Sequence, residues 1–125
     1  MKLLVDSHAL FWWLTDNPRL SEAAETAIAS TENDVLVSAC IGYELLYRER
    51  QGRLSPSPGN LVRRLQRDGF DVLPISLEHT LTAAGLRGPH RDPWDRIMMA
   101  QAIIEELQVV TIDKVFSDYG LPVIW

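Results

Sequence analysis

Four acidic residues stand where a chain can put them to chemical use: Asp6, Glu44, Asp95 and Asp113. Asp6 directly follows the apolar run Leu3-Leu4-Val5, and Asp113 directly follows Val109-Val110-Thr111-Ile112. Asp95 falls in the first turn of a helix opened by Asp92-Pro93, and Glu44 sits inside a helical segment among Ile41, Tyr43, Leu45 and Leu46. Carboxylates crowded together repel, and some take up a proton unless a cation compensates. Mg²⁺ or Mn²⁺ suits an all-oxygen donor set. Such an ion retains water, which it can activate as a nucleophile, and it offsets charge on a phosphoryl group. Acids gathered at a sheet edge therefore suggest metal-dependent phosphodiester hydrolysis.

Each acid also has a plainer account. Asp6 and Asp113 can serve as helix N-caps. Asp92 fits an N-cap with Pro93 at the first helical position, which leaves Asp95 at the third, as in a capping box. Glu44 is not at a helix end, so capping does not explain it; a pairing with Arg48 one turn on does. The acids are stronger evidence jointly than singly, and the joint reading carries a geometric expectation: Asp6 faces Glu44 and Asp95 across a gap that one hydrated ion can fill.

The elements that must position these residues alternate along the chain. Leu3 to Val5 is a continuous apolar run, the pattern of a strand buried on both faces. A helical block follows through Leu14, and Ser21 caps a second helix carrying Ala23, Ala24, Ala27 and Ile28. Val35-Leu36-Val37 is a second strand, and Ser38 caps a third helix that reaches about Arg50. Ser55 to Gly59 is a loop by composition, and residues 61–67 form a short basic helix. Val72 to Ile75 is extended, and Pro74 confines it to a sheet edge. Helices follow over 77–86 and from Ile97 to Leu107, then a strand over 109–112, one or two helical turns, and a terminal strand at Val123-Ile124. The connections are too long for hairpins, which implies a mostly parallel sheet covered by helices on both faces.

Bulk properties set outer bounds. A chain of 125 residues fits one domain over 1–125. The net charge of −5 argues against nucleic-acid binding by bulk charge alone. Yet six of the ten arginines, from Arg48 to Arg67, fall within twenty residues, a stretch able to meet phosphates or simply to be solvated. The lone Cys40 excludes an intrachain disulfide and a multi-cysteine zinc site. The apolar start is too short for a signal peptide and no run is long enough to span a membrane, so a cytoplasmic protein is expected. His8 and His90 flank proposed site acids, where hydrogen-bonded structural roles are the plainer account. Trp12 and Trp13 read as core or interface residues; Trp94, beside Asp95, is the better candidate for contact with a base, with core packing as the alternative.

The segments LLVDSHALFWWL, VSACIGYELLYRERQGRL, HRDPWDRIMMAQA and VVTIDKVFSDYGLPVIW span nearly the whole chain. In that order the sequence resembles the PIN-domain ribonucleases, and within them the VapC-like toxins of bacterial toxin–antitoxin pairs. The resemblance implies a three-layer α/β/α sandwich around a mostly parallel sheet of four or five strands. It implies Mg²⁺- or Mn²⁺-dependent endonucleolytic cleavage of RNA, a cognate antitoxin and a homodimer. By motif, Asp6, Glu44, Asp95 and Asp113 are the expected catalytic and metal-binding acids, Asp113 being the one whose ligand role varies most. Ser7, where many members have threonine, is expected to position water, and Arg48 and Arg96 to position substrate. A PIN nuclease of RNA processing or DNA repair is the alternative enzyme. A binding module whose acids are caps is the alternative without catalysis.

Overall fold

The computed structural model describes residues 1–125. Its centre is a five-stranded sheet in the order β3-β2-β1-β4-β5, parallel throughout. The strands are β1 (Lys2–Val5), β2 (Asp34–Ser38), β3 (Asp71–Leu73), β4 (Gln108–Val110) and β5 (Val123–Ile124). The helices are α1 (Ser7–Leu14), α2 (Glu22–Ala29), α3 (Ala39–Arg50), α4 (Leu61–Asp68), α5 (Leu77–Gly85), α6 (Pro93–Ile104) and α7 (Val115–Asp118). Parallel neighbours need crossovers, and right-handed crossovers in this strand order put α1–α4 on one face and α5–α7 on the other. Contacts follow suit: α1 packs on α3, and α5 on α6. The expected three-layer sandwich is the observed one.

The apolar run of β1 makes it the middle strand. Leu3, Leu4 and Val5 have no exposed surface and pair with β2 on one side and β4 on the other. Val109 and Val110 are equally buried. Strand β3 lies at the edge as expected, but it ends at Leu73 instead of Ile75, so Pro74 stands just past it, where its missing N–H costs no ladder bond. The core closes around Leu10, Ile41, Met98, Met99 and Phe116.

Helix ends follow the sequence signals closely. Ser21, Ser38, Asn60 and Ser76 accept from backbone N–H groups of the helices they open. Several boundaries differ from expectation. Helix α1 begins at Ser7, because Asp6 itself is its cap. Helix α6 stops at Ile104, before Glu106 adopts a left-handed backbone with φ 54°. Strand β4 ends at Val110 instead of Ile112, so Asp113 stands past a short connector and not directly on the strand. Only Val109 and Val110 are matched by β5, which is two residues long, and Ile112 is exposed.

Strand order reverses between β1 and β4, since the chain winds one way from β1 to β3 and the other way from β4 to β5. Open α/β sheets form their ligand crevice outside the carboxyl ends of strands at such a reversal. Asp6 stands at that point. The loop before α6 closes over the same edge: the backbone N–H of His90 donates to the Tyr119 hydroxyl at 3.1 Å. Gly88 permits this approach. Its φ is 131°, and a Cβ built there overlaps the Tyr119 hydroxyl. Gly88→Ala is expected to cost about 1–3 kcal/mol, from backbone strain and the displaced loop, read as a lowered urea midpoint.

Candidate active site

Asp6 is 5% exposed and both of its carboxylate oxygens are engaged. Oδ1 accepts from the backbone N–H of Ala9 at 2.8 Å, the cap bond of α1. Oδ2 accepts from the hydroxyl of Thr111, just past β4. Capping and site membership are thus not rival accounts of Asp6, because one oxygen does each. Burial pushes its carboxyl up to about 6, against the lowering effect of the Thr111 and Ala9 hydrogen bonds and the His8 charge; the Asp95 charge adds to the rise.

Glu44 lies on the second turn of α3 and meets Arg48 at 2.7 Å. It also accepts from the Ser7 hydroxyl at 3.3 Å, which ties α3 to the first residue of α1. Ser7 and Arg48 therefore stand at the acid edge, both engaged with Glu44. Asp95 is the third residue of α6, as the Asp92-Pro93 start requires. The expected capping box is absent: Asp92 alone caps, accepting from Trp94 and Asp95 N–H at 2.9 and 3.1 Å. The Asp95 carboxylate instead meets His90 Nε2 at 2.8 Å. Burial raises the Asp95 carboxyl; the His90 hydrogen bond and charge oppose the rise, and the charges of Asp92 and Asp113 reinforce it.

The two helices carrying Glu44 and Asp95 belong to opposite faces of the sheet, yet they converge over its edge. The rings of Tyr43 and Trp94, each one residue before its acid, lie 5.6 Å apart between centroids. Cys40, on the first turn of α3, feels the charges of both Glu44 and Asp95, although burial is the main cause of its raised thiol. Asp113 is exposed, and its Oδ1 accepts from Val115 N–H at 3.0 Å. Its charge reaches Asp95. The four acids share the carboxyl edge of the sheet, but no three of them are gathered closely enough to ligate one ion in this conformation.

Arg96 does not join them. Its guanidinium donates to the backbone carbonyls of Ala83, Leu86 and His90. That fan of hydrogen bonds joins the end of α5 to the loop holding His90, so the structure assigns Arg96 to loop geometry and not to substrate. Thr111 is the residue that sequence reasoning missed. It is 1% exposed, donates to Asp6 and accepts from the backbone N–H of Asp113 at 2.9 Å. The only signal for it was a polar residue in the apolar run before Asp113, and a strand reading of that run concealed it.

The donor chemistry fits a hard divalent cation: four carboxylates and the hydroxyls of Ser7 and Thr111, with Asp6 desolvated enough to resist ionisation. Glu44 engages its partners through Oε2 and Asp95 through Oδ2, which leaves Oε1 and Oδ1 without a protein partner.

Comparison with known proteins identifies the family. The PIN domain family model matches residues 3–121. Ribonuclease VapC22 of Mycobacterium tuberculosis is 30% identical over 123 residues, spanning 96% of this chain and 93% of that protein. Among solved structures, the crystal structure of VapBC2 from Rickettsia felis bound to a promoter DNA fragment matches 98% of this chain and 97% of its own. It does so with a TM-score of 0.74 at 18% identity. FitAcB from Neisseria gonorrhoeae matches 97% and 95% with a TM-score of 0.70 at 22% identity. The chain belongs to the PIN-domain family, and it is similar within that family to the VapC ribonucleases.

Two expected outcomes follow from the burial of Asp6. Its folded carboxyl is raised above the ordinary 3.8, so the folded protein binds the proton more tightly than the unfolded chain. Stability of the cation-free protein therefore carries a penalty that is full above about 6 and fades as pH falls toward 3.8. Asp6→Asn removes this dependence and stabilises the cation-free protein at neutral pH by roughly 1–3 kcal/mol, less the weakened Thr111 contact, measured by denaturation across pH. Thr111→Val removes the hydroxyl that favours the Asp6 anion, so the Asp6 titration followed by carboxyl-carbon NMR moves upward; an unmoved titration contradicts the contact.

Proposed function

We propose that this protein is a divalent-cation-dependent endoribonuclease that hydrolyses RNA phosphodiester bonds. The observation that carries the reading is the desolvated Asp6 carboxylate at the sheet's switch point, with Glu44 and Asp95 at the same sheet edge on helices of opposite faces. Desolvation keeps such a carboxylate reluctant to ionise until a cation compensates it. Asp6, Glu44 and Asp95 would hold Mg²⁺ or Mn²⁺, with Asp113 completing or orienting the set. The ion supplies water activation and charge stabilisation at phosphorus. Thr111 and the α1 N-terminus hold Asp6 in place, His90 holds Asp95, and Ser7 holds Glu44. No side chain is needed as a covalent nucleophile.

We also propose that the protein acts as the toxin of a toxin–antitoxin pair, in the cytoplasm and as a homodimer. Similarity to a VapC ribonuclease over nearly the whole chain supports this role, as does the likeness to VapBC and FitAcB structures. No helix is long and apolar enough to cross a membrane.

The test is RNA cleavage with purified protein, followed by sequencing of RNA ends after induction in cells. Wild type is expected to cut in Mg²⁺ and to stop when the ion is chelated. Asp6→Asn and Glu44→Gln should each lose roughly 100-fold or more of the rate while keeping the fold. Undiminished cutting by Asp6→Asn sinks the assignment. A protein that neither binds Mg²⁺ nor cuts is the binding module instead. Growth arrest on expression, relieved by a co-expressed partner, separates a toxin from a processing or repair nuclease.

A further inference from the structure

The edge of α3 beside the candidate site carries two parallel stripes. Glu44 and Arg48 form one, joined as an ion pair. Tyr43 and Tyr47 form the other, each one residue earlier and likewise one helical turn apart. The two tyrosine rings stack, with centroids 5.6 Å apart and planes 12° apart. Trp94 extends the row from α6, tilted 42° to Tyr43. Core packing does not account for the tyrosines, which are 58% and 51% exposed. Neither phenol engages a hydrogen-bond partner within the protein, whereas the hydroxyl of Tyr119 does.

The charges nearby narrow what this row can hold. The site is acidic, and Arg48 and Arg96 are engaged with Glu44 and with backbone carbonyls. A phosphate chain approaching the four carboxylates is repelled, so an uncharged part of each nucleotide must contribute affinity. Aromatic faces supply it, because any base can stack on them at about 1–3 kcal/mol per base. Tyr43 and Trp94 are each bonded in sequence to a site acid, so a base seated on them brings its own phosphate toward Glu44 and Asp95. A duplex keeps its base faces inside its own stack and gains nothing from such a row.

We propose that Tyr43, Tyr47 and Trp94 form a base-stacking platform that seats unpaired bases of an RNA strand beside Glu44 and Asp95. The proposal rests on the nuclease reading and adds to it the residues that select single-stranded substrate.

The experiment is fluorescence anisotropy with divalent cations chelated. The probe is a fluorescein-labelled single-stranded RNA of mixed sequence about a dozen nucleotides long, compared with its duplex. Tyr43→Ala/Tyr47→Ala should bind the single strand roughly tenfold more weakly or worse. Tyr43→Phe/Tyr47→Phe should bind as wild type does, and duplex binding should be the same in all three proteins. Circular dichroism melts and gel filtration accompany each variant. The platform is overturned if the alanine variant binds the single strand as wild type does, or if the phenylalanine variant falls with it, which would implicate the hydroxyls. It is also overturned if the loss tracks a shift to a smaller species on gel filtration, which assigns the row to contact between copies. Wild type that binds single-stranded RNA but never cuts it sinks the nuclease reading and leaves the platform judged on the variants. Wild type that does not bind single-stranded RNA overturns the platform whatever it cuts.

Discussion

A carboxylate held almost out of water at the end of the middle strand is the constraint around which the domain is arranged. Asp6 can sit there because it has two partners of different origin: the free N–H at the start of α1 and the hydroxyl of Thr111. The first is local and comes from the strand-to-helix turn itself. The second comes from a segment more than a hundred positions away and exists only because β4 pairs with β1. Asp6 thus joins the two strands between which the winding reverses. Thr111 then accepts from Asp113 N–H and passes the constraint to the next acid. One buried anion fixes the ends of two strands and the start of two helices.

The other acids are held more loosely, each by a partner on or near its own helix. Glu44 has Arg48 and Ser7; Asp95 has His90. The Glu44–Arg48 and Asp95–His90 pairs have side chains 17–32% exposed, where water weakens the contact and makes exchange cheap. The arrangement is that of a site with one fixed carboxylate and two that can be re-partnered. Its framework is stiff where stiffness matters. Arg96 draws the end of α5 and the His90 loop together through three carbonyls, and Gly88 lets that loop lie against Tyr119. A divalent cation would compete with Arg48 for Glu44 and with His90 for Asp95. It would meet little competition at Asp6, where the bonds are to neutral donors that persist when the charge is compensated.

Much of this was legible in the amino-acid order, and the reasons are local. Leu3-Leu4-Val5 admits no solvated face, so the strand had to be central and Asp6 had to end it. Pro74 had to be at an edge. Asp92-Pro93 had to open α6 and so place Asp95 on its first turn. What escaped was set by contacts distant in sequence. Thr111 reads as a strand residue until β1 is beside it. Arg96, next to Asp95, reads as a site cation until the carbonyls of Ala83 and Leu86 are brought under it by α5 packing on α6. The capping-box reading of Asp95 failed because His90 offers its carboxylate a stronger partner than the backbone does. The ends of β4 and α6 were set by the short length of β5 and the left-handed turn at Glu106, neither of which hydrophobic spacing records.

The distribution of charge reconciles an acidic protein with a polyanionic substrate. A net charge of −5 gives no long-range attraction for RNA, and the candidate site itself carries Asp6, Glu44, Asp95 and Asp113. Exposed arginines include two groups: Arg87 and Arg91 in the loop before α6, and Arg50 and Arg53 at the end of α3 with Arg63 and Arg67 on α4. The second group begins where the helix bearing Glu44 ends, roughly half a helix length from that acid, near enough for one strand to touch both. On the proposed nuclease reading, phosphates would be met by arginines outside the acid cluster, and the acids would be left to the divalent cation. Between the two lies the α3 surface that carries Tyr43 and Tyr47, neutral and exposed. A strand crossing from arginines to acids passes over that surface, and there its bases rather than its phosphates have something to hold.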